Sequence, residues 1–154
     1  MNAEQLRLYL IRPTLEYLGM GGLNAENLLL GTAAQESALG QYIKQVGGGP
    51  AEGIFQMEPM TESDIWENFI VYNNALEAKM RMLLIPNSTG MPQLIINLAY
   101  SVAMARLQYR RFPEPLPADV EGMAALWKKR YNTFSGKGTA LEFIENYRHY
   151  VEPH

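Results

Sequence analysis

The residue with the clearest capacity for chemistry is Glu36, in the stretch Ala33-Ala34-Gln35-Glu36-Ser37-Ala38-Leu39-Gly40. It stands near the C-terminal end of a segment of small and apolar residues that reads as a helix. The partial negative charge at a helix C-terminus opposes ionisation there, and burial opposes it further. Both effects raise the pKa. A carboxyl group that keeps its proton near neutral pH can protonate a glycosidic oxygen as a general acid. The competing reading is a glutamate on the exposed side of its helix, paired with a lysine such as Lys44. Position alone leaves both readings open.

Downstream of Glu36-Ser37 comes Gly53-Ile54-Phe55-Gln56-Met57, continued by Glu58-Pro59, and in the second half Tyr131-Asn132-Thr133-Phe134-Ser135-Gly136. Taken in this order, the three stretches resemble the soluble lytic transglycosylase and goose-type lysozyme family of the lysozyme-like superfamily. That family carries a Glu-Ser pair ending a helix, a Gly-Leu-Met-Gln motif, and an Ala-Tyr-Asn motif. Here Ile54 and Phe55 replace Leu and Met, Glu58 is inserted before the proline, and Arg130 replaces the alanine. Ala99-Tyr100-Ser101 competes for the third motif; Tyr131-Asn132 is preferred because it keeps both polar residues and precedes a glycine-rich turn. The likeness is strongest over residues 24–60 and extends to about residue 140.

The resemblance implies a lysozyme-like domain that cuts the MurNAc–GlcNAc bond of the bacterial peptidoglycan glycan strand. Glu36 would protonate the leaving oxygen. As a carboxylate it would then take the proton of the muramoyl C6 hydroxyl while that oxygen attacks C1, giving a 1,6-anhydro product without consuming water. Ser37 would orient Glu36 or touch substrate, and Gly53 would let the backbone approach the sugar. Gln56 would bond to substrate or brace its loop, while Tyr131 and Asn132 would stabilise developing charge or position Glu36. Two alternatives stay open: a hydrolytic muramidase, and an inactive structural or adaptor protein of a phage particle that keeps the fold.

Hydrolysis through two carboxylates needs a second acid roughly 5–9.5 Å from the first. Glu52, Glu58 and Asp64 are candidates by position, Glu58 the best of them. Trp66, Trp127 and the tyrosines could line a sugar groove, although aromatic residues at helical spacing are commonly core; only Tyr131 is assigned to the site. Gly47-Gly48-Gly49 and Gly136-Lys137-Gly138-Thr139 lack the context of a phosphate-binding loop.

Composition removes other classes of chemistry. The chain has no cysteine and only two histidines, His149 and His154, so neither a disulfide nor a Cys-based zinc site is available. No cofactor is expected. A net charge of −3 argues against a nucleic-acid partner, and charged residues at 19% against disorder. No apolar run is long enough to span a membrane, and the opening MNAEQLRLYLIRP has no signal-peptide pattern. Delivery by a phage virion, or release from the host cytoplasm onto periplasmic peptidoglycan, is therefore expected, with other virion proteins as possible partners.

The elements that must position these residues read as all-α, α+β at most, in a single domain over residues 1–154. A helix from about Ala3 to Leu18 is expected to be kinked or split by Pro13 and stopped by Gly19. Asn24 caps a second helix that ends near Gly40, and its small residues Gly31, Ala33 and Ala34 mark it as central. Residues 47–59 form a glycine-rich loop or small hairpin. Thr61 caps a helix with Asp64 at N3; another runs from about Asn74 to Ile85. A long helix covers roughly Pro92 to Phe112, with Pro92 at N1. Asp119 caps a helix reaching Tyr131, and Thr139 with Glu142 forms a capping box for the last one.

Overall fold

The computed structural model describes residues 1–132 and 136–153. It is all-α. The helices are α1 (Ala3–Leu6), α2 (Arg12–Leu18), α3 (Leu23–Ser37), α4 (Pro59–Asn68), α5 (Asn74–Leu83), α6 (Gln93–Ile96), α7 (Leu98–Arg110), α8 (Val120–Leu126) and α9 (Ala140–Tyr150). A 3₁₀ turn at Ile70–Tyr72 joins α4 to α5, and π-turns occupy Arg7–Ile11 and Trp127–Asn132. Among the described residues the only β-pairing is two isolated antiparallel bridges, Lys44 with Glu52 and Glu52 with Met57.

Helix α3 is buried on all sides. Ala25, Leu28, Leu29, Leu30, Ala33 and Ala34 are each no more than 2% exposed, which is the behaviour of a helix inside a bundle rather than on its surface. Each leucine removed from water there contributes about 1.5–3 kcal/mol. Gly31 permits the tightest contact: a Cβ on it would lie 2.4 Å from Phe143 Cζ, on α9. The small residues of α3 thus let α9 press directly onto its backbone.

One core cluster gathers around α3, with Ile11, Leu15, Val102, Trp127 and Phe143 among its members. A second joins α4, α5 and α7 through Ile65, Ile70, Met80, Met104 and Leu107. Tyr131 packs against both.

Several boundaries differ from the sequence expectation. Ahead of Pro13 the first helix is split by the π-turn at Arg7–Ile11, where the chain widens by one residue and Arg12 N donates to Arg7 O. A π-turn absorbs the missing proline N–H in this way. Gly22, with φ of 118°, caps α3 in place of Asn24, whose side chain reaches Leu116 O at 3.5 Å. Helix α4 begins at Pro59, two residues before Thr61, because proline fits the first turn of a helix. The long helix from Pro92 is broken at Asn97, whose side chain accepts from Tyr100 N and donates to Leu83 O and Gln93 Oε1. Pro92 itself is the N-cap of α6. Asp119 and Thr139 cap as expected, accepting from Gly122 N at 2.6 Å and Glu142 N at 3.1 Å.

Candidate active site

Helix α3 ends one residue after Glu36. Ala38 and Leu39 both take left-handed backbone conformations, and Leu39 N donates back to Ala33 O. The chain then turns sharply away, well before Gly40 would have ended the helix. Glu36 is left in the final turn, at the negative end of the helix dipole.

The carboxyl group lies in the wall of a groove of about 890 Å³. Trp127 Nε1 donates to Glu36 Oε1 at 2.9 Å, while Oε2 takes no hydrogen bond among the described residues. Burial pushes the Glu36 pKa up from 4.5 to about 7, and the indole N–H opposes that rise only partly. Among the described residues no cation is paired with it. Lys44, the alternative partner, bonds to Glu52 at 3.5 Å instead. Such a carboxyl group is half protonated near neutrality, so it can donate a proton and later recover one.

The structure brings four of the six expected site residues to this groove: Glu36, Gln56, Tyr131 and Asn132. The turn carrying Gln56 is closed by the pairing of Glu52 with Met57, N to O in both directions at 3.0 and 3.1 Å. Gln56 adopts a φ of 46°, and its Nε2 donates to Gly53 O at 2.9 Å, so the side chain braces its own turn. Tyr131 Oη donates to Phe55 O at 2.7 Å, and its ring stacks on Tyr109 with centroids 5.4 Å apart. Asn132 Oδ1 accepts from Lys128 Nζ, which also donates to Gly136 O and Gly138 O. One ammonium group therefore ties down the far lip of the groove. Thr133, Phe134 and Ser135 of the same motif lie outside the described residues.

Ser37 and Gly53 are placed elsewhere. Ser37 is 1% exposed; its Oγ accepts from Gly40 N at 2.8 Å and donates to Ile54 O at 2.6 Å. It fastens the end of α3 to the following turn and does not reach the groove. Gly53 has a φ of 80°, and a Cβ there would lie 2.0 Å from Leu94 O. The close approach it permits is to the backbone of α6, not to the groove. The competing Tyr100 is likewise remote: it is buried on α7 and donates to Glu62 Oε2 at 2.6 Å.

Of the candidate second acids, Glu58 lines the groove and is exposed. Glu52 is buried against Lys44, and Asp64 is held by Arg111. Glu142, which was not a candidate, adds a further exposed carboxylate to the lining. Sequence reasoning also missed Trp127 as the partner of Glu36, since 91 positions separate the two. Gln35 and Tyr42 escaped it as well, although both line the groove. The proximity of Gln35 to the Glu-Ser pair was the available signal. Among the described residues no three His, Asp or Glu side chains are grouped to hold a metal, and no helix is long and apolar enough to cross a membrane.

The hydroxyl of Tyr131 gives a direct test of how the site is braced. Tyr131→Phe leaves the Phe55 carbonyl without its partner and is expected to lower the unfolding free energy by about 1–2 kcal/mol in urea titration.

No protein family model, curated protein or solved structure matches this chain.

Proposed function

We propose that this protein cleaves the glycan strand of bacterial peptidoglycan as a lytic transglycosylase, with Glu36 as the only acid and base. The observation that carries the reading is a carboxyl group with a pKa near 7, paired with no cation among the described residues, in the wall of a polar groove. The order of the Glu-Ser, Gly-Ile-Phe-Gln-Met and Tyr-Asn stretches supports the same reading. With Oε1 held by the indole of Trp127, Oε2 remains for the substrate. It gives its proton to the oxygen leaving C1 of the muramoyl residue as that bond breaks. The resulting carboxylate takes the proton of the C6 hydroxyl while O6 bonds to C1. The enzyme finishes in the state in which it began, and no water enters.

A second reading is hydrolysis, which Glu58 and Glu142 favour because each presents an exposed carboxylate to the groove. Either group could activate a water in place of the internal hydroxyl. Digestion of purified peptidoglycan followed by mass spectrometry separates the two readings. Anhydro-muramoyl ends support transglycosylation, reducing ends heavier by one water support hydrolysis, and an absence of soluble fragments rejects both. With cleavage goes a route to the wall, through a phage particle with its other virion proteins or through a lysing host cell.

The pH profile follows from the acid's own titration. The first step needs the protonated carboxyl, so kcat/KM should fall as pH rises through about 7. Initial rates of muropeptide release between about pH 5 and 9 check this; a flat profile would exclude Glu36 as the proton donor.

A further inference from the structure

Beyond the acid and its braces, the groove carries a half-exposed aromatic side chain on its lip. Tyr42 lines the groove, is 47% exposed, and makes no hydrogen bond or ring contact among the described residues. Val46, on the same loop and also in the lining, is 72% exposed. Exposed apolar side chains are common singly, but two together on the lip of a polar cleft mark a binding surface.

The backbone around Tyr42 is tethered on both sides. Gln41 N donates to Ser37 O at 2.8 Å, directly below the end of α3. Ile43 O accepts from Gly53 N at 2.8 Å. Gln45 then pairs twice with Ala51, N to O at 3.0 Å and through its side-chain Oε1 at 3.0 Å. Only beyond Gln45 does the chain enter the glycine run, where Gly47 and Gly48 adopt left-handed conformations. Tyr42 therefore stands on the fixed part of the loop, a few residues past Glu36. Backbone held in place loses little entropy when a ligand covers the side chain it carries, and that favours affinity.

The rest of the lining is mostly polar. Beside the charged Glu58, Lys137 and Glu142, the side chains of Gln35, Gln45, Gln56, Thr61 and Asn132 are neutral and keep donor or acceptor capacity beyond their internal bonds, suited to hydroxyl and acetamido groups. A sugar ring combines such groups with an apolar face of C–H bonds, which needs an aromatic surface. We infer that Tyr42, with Val46 beside it, is a stacking platform for a pyranose ring of the glycan, in a subsite adjoining the bond cleaved. This inference rests on the groove being a glycan cleft.

The test uses the full chain carrying Glu36→Gln, so that ligand is bound without turnover, and a β-1,4-linked N-acetylglucosamine tetramer as probe. Titration by NMR or calorimetry is expected to give about ten-fold weaker binding when Tyr42→Ala is added. Tyr42→Phe, which keeps the ring, should bind like the parent, and Tyr42→Trp at least as well. Thermal unfolding of the Tyr42 variants should stay close to that of the Glu36→Gln parent, since the side chain is half exposed and makes no hydrogen bond or ring contact among the described residues. Equal affinity in the alanine and phenylalanine variants overturns the platform. If the chain with native Glu36 also solubilises peptidoglycan, the cleft reading survives that result. If no variant binds the tetramer and native protein releases no muropeptides, the cleft reading itself fails, and the platform with it.

Discussion

Replacing Glu36 with glutamine is expected to lower peptidoglycan cleavage by roughly 10²–10⁴-fold or more, the range spanned by loss of a positioned acid and base. The amide keeps the size of the side chain and can still accept from Trp127 Nε1, so the groove keeps its shape. What it cannot do is release a proton at one step and take one back at the next. Stability should move in the opposite direction. The folded state holds the carboxyl at a pKa of about 7, against 4.5 when it is free in water. Below about pH 4.5 the group is protonated in both states and costs nothing. Between pH 4.5 and 7 the unfolded chain ionises first, so native stability falls as pH rises, and above pH 7 the loss is complete. Glutamine carries no charge at any pH and escapes it. The variant should therefore match the native protein at about pH 4 and exceed it by roughly 2–3 kcal/mol at about pH 8, less where water reaches the carboxyl. Activity lost together with stability gained on the alkaline side alone is the signature of a buried catalytic acid. A glutamate merely bracing the fold would lose both. Muropeptide release and urea titrations at the two pH values decide between them.

That double signature depends on a feature the sequence displayed only in part. The small-residue run before Glu36 announced a central helix, and the position of the acid near its end announced the dipole. Burial, though, is a property of what packs above. Trp127, Tyr131 and the turn at 53–56 come from distant parts of the chain, and no local spacing links them to residue 36. Caps were legible wherever one side chain serves its own helix, as at Asp119 and Thr139, since that bond closes within three residues. They failed where a competing device was stronger: Pro59 starts α4 ahead of Thr61, and Gly22 starts α3 ahead of Asn24. At Asn97 the apolar period of Leu94, Ile95, Leu98 and Val102 runs straight across a break, and hides it. An asparagine between two helical stretches was the signal there, because its side chain satisfies the orphan N–H of Tyr100 while tying the break to Leu83. The serine and glycine of the motifs show the same limit. Their residue types fit a substrate contact, but the same types also fit tight internal contacts, and only the fold discriminates.

Gly53→Ala separates those two meanings for the glycine. Had Gly53 been bare so that a sugar could approach, alanine would leave the protein stable and weaken only binding and cleavage. The structure predicts the reverse order of effects. Two costs fall on the added methyl group. The φ of 80° lies in the left-handed region, which costs a residue with a Cβ about 1–2 kcal/mol. The Cβ would also sit 2.0 Å from Leu94 O. That carbonyl cannot swing aside cheaply, because it is backbone at the second residue of α6 and already accepts from Ser101 Oγ at 2.6 Å. Relieving the overlap means moving α6 away from the turn, opening the seam between the site and the second core cluster. The sum should reach roughly 3–4 kcal/mol, enough to lower the melting temperature by about 10 °C for a chain of this size. Gly47→Ala supplies the control. Its φ of 89° is as unfavourable, yet no atom lies within 4 Å of the new Cβ, so the conformational cost alone, about 1–2 kcal/mol, should remain. The difference between the two variants measures the contact with Leu94. If both are destabilised equally, or if Gly53→Ala keeps its melting temperature and loses only saccharide binding, the glycine belongs to the substrate after all.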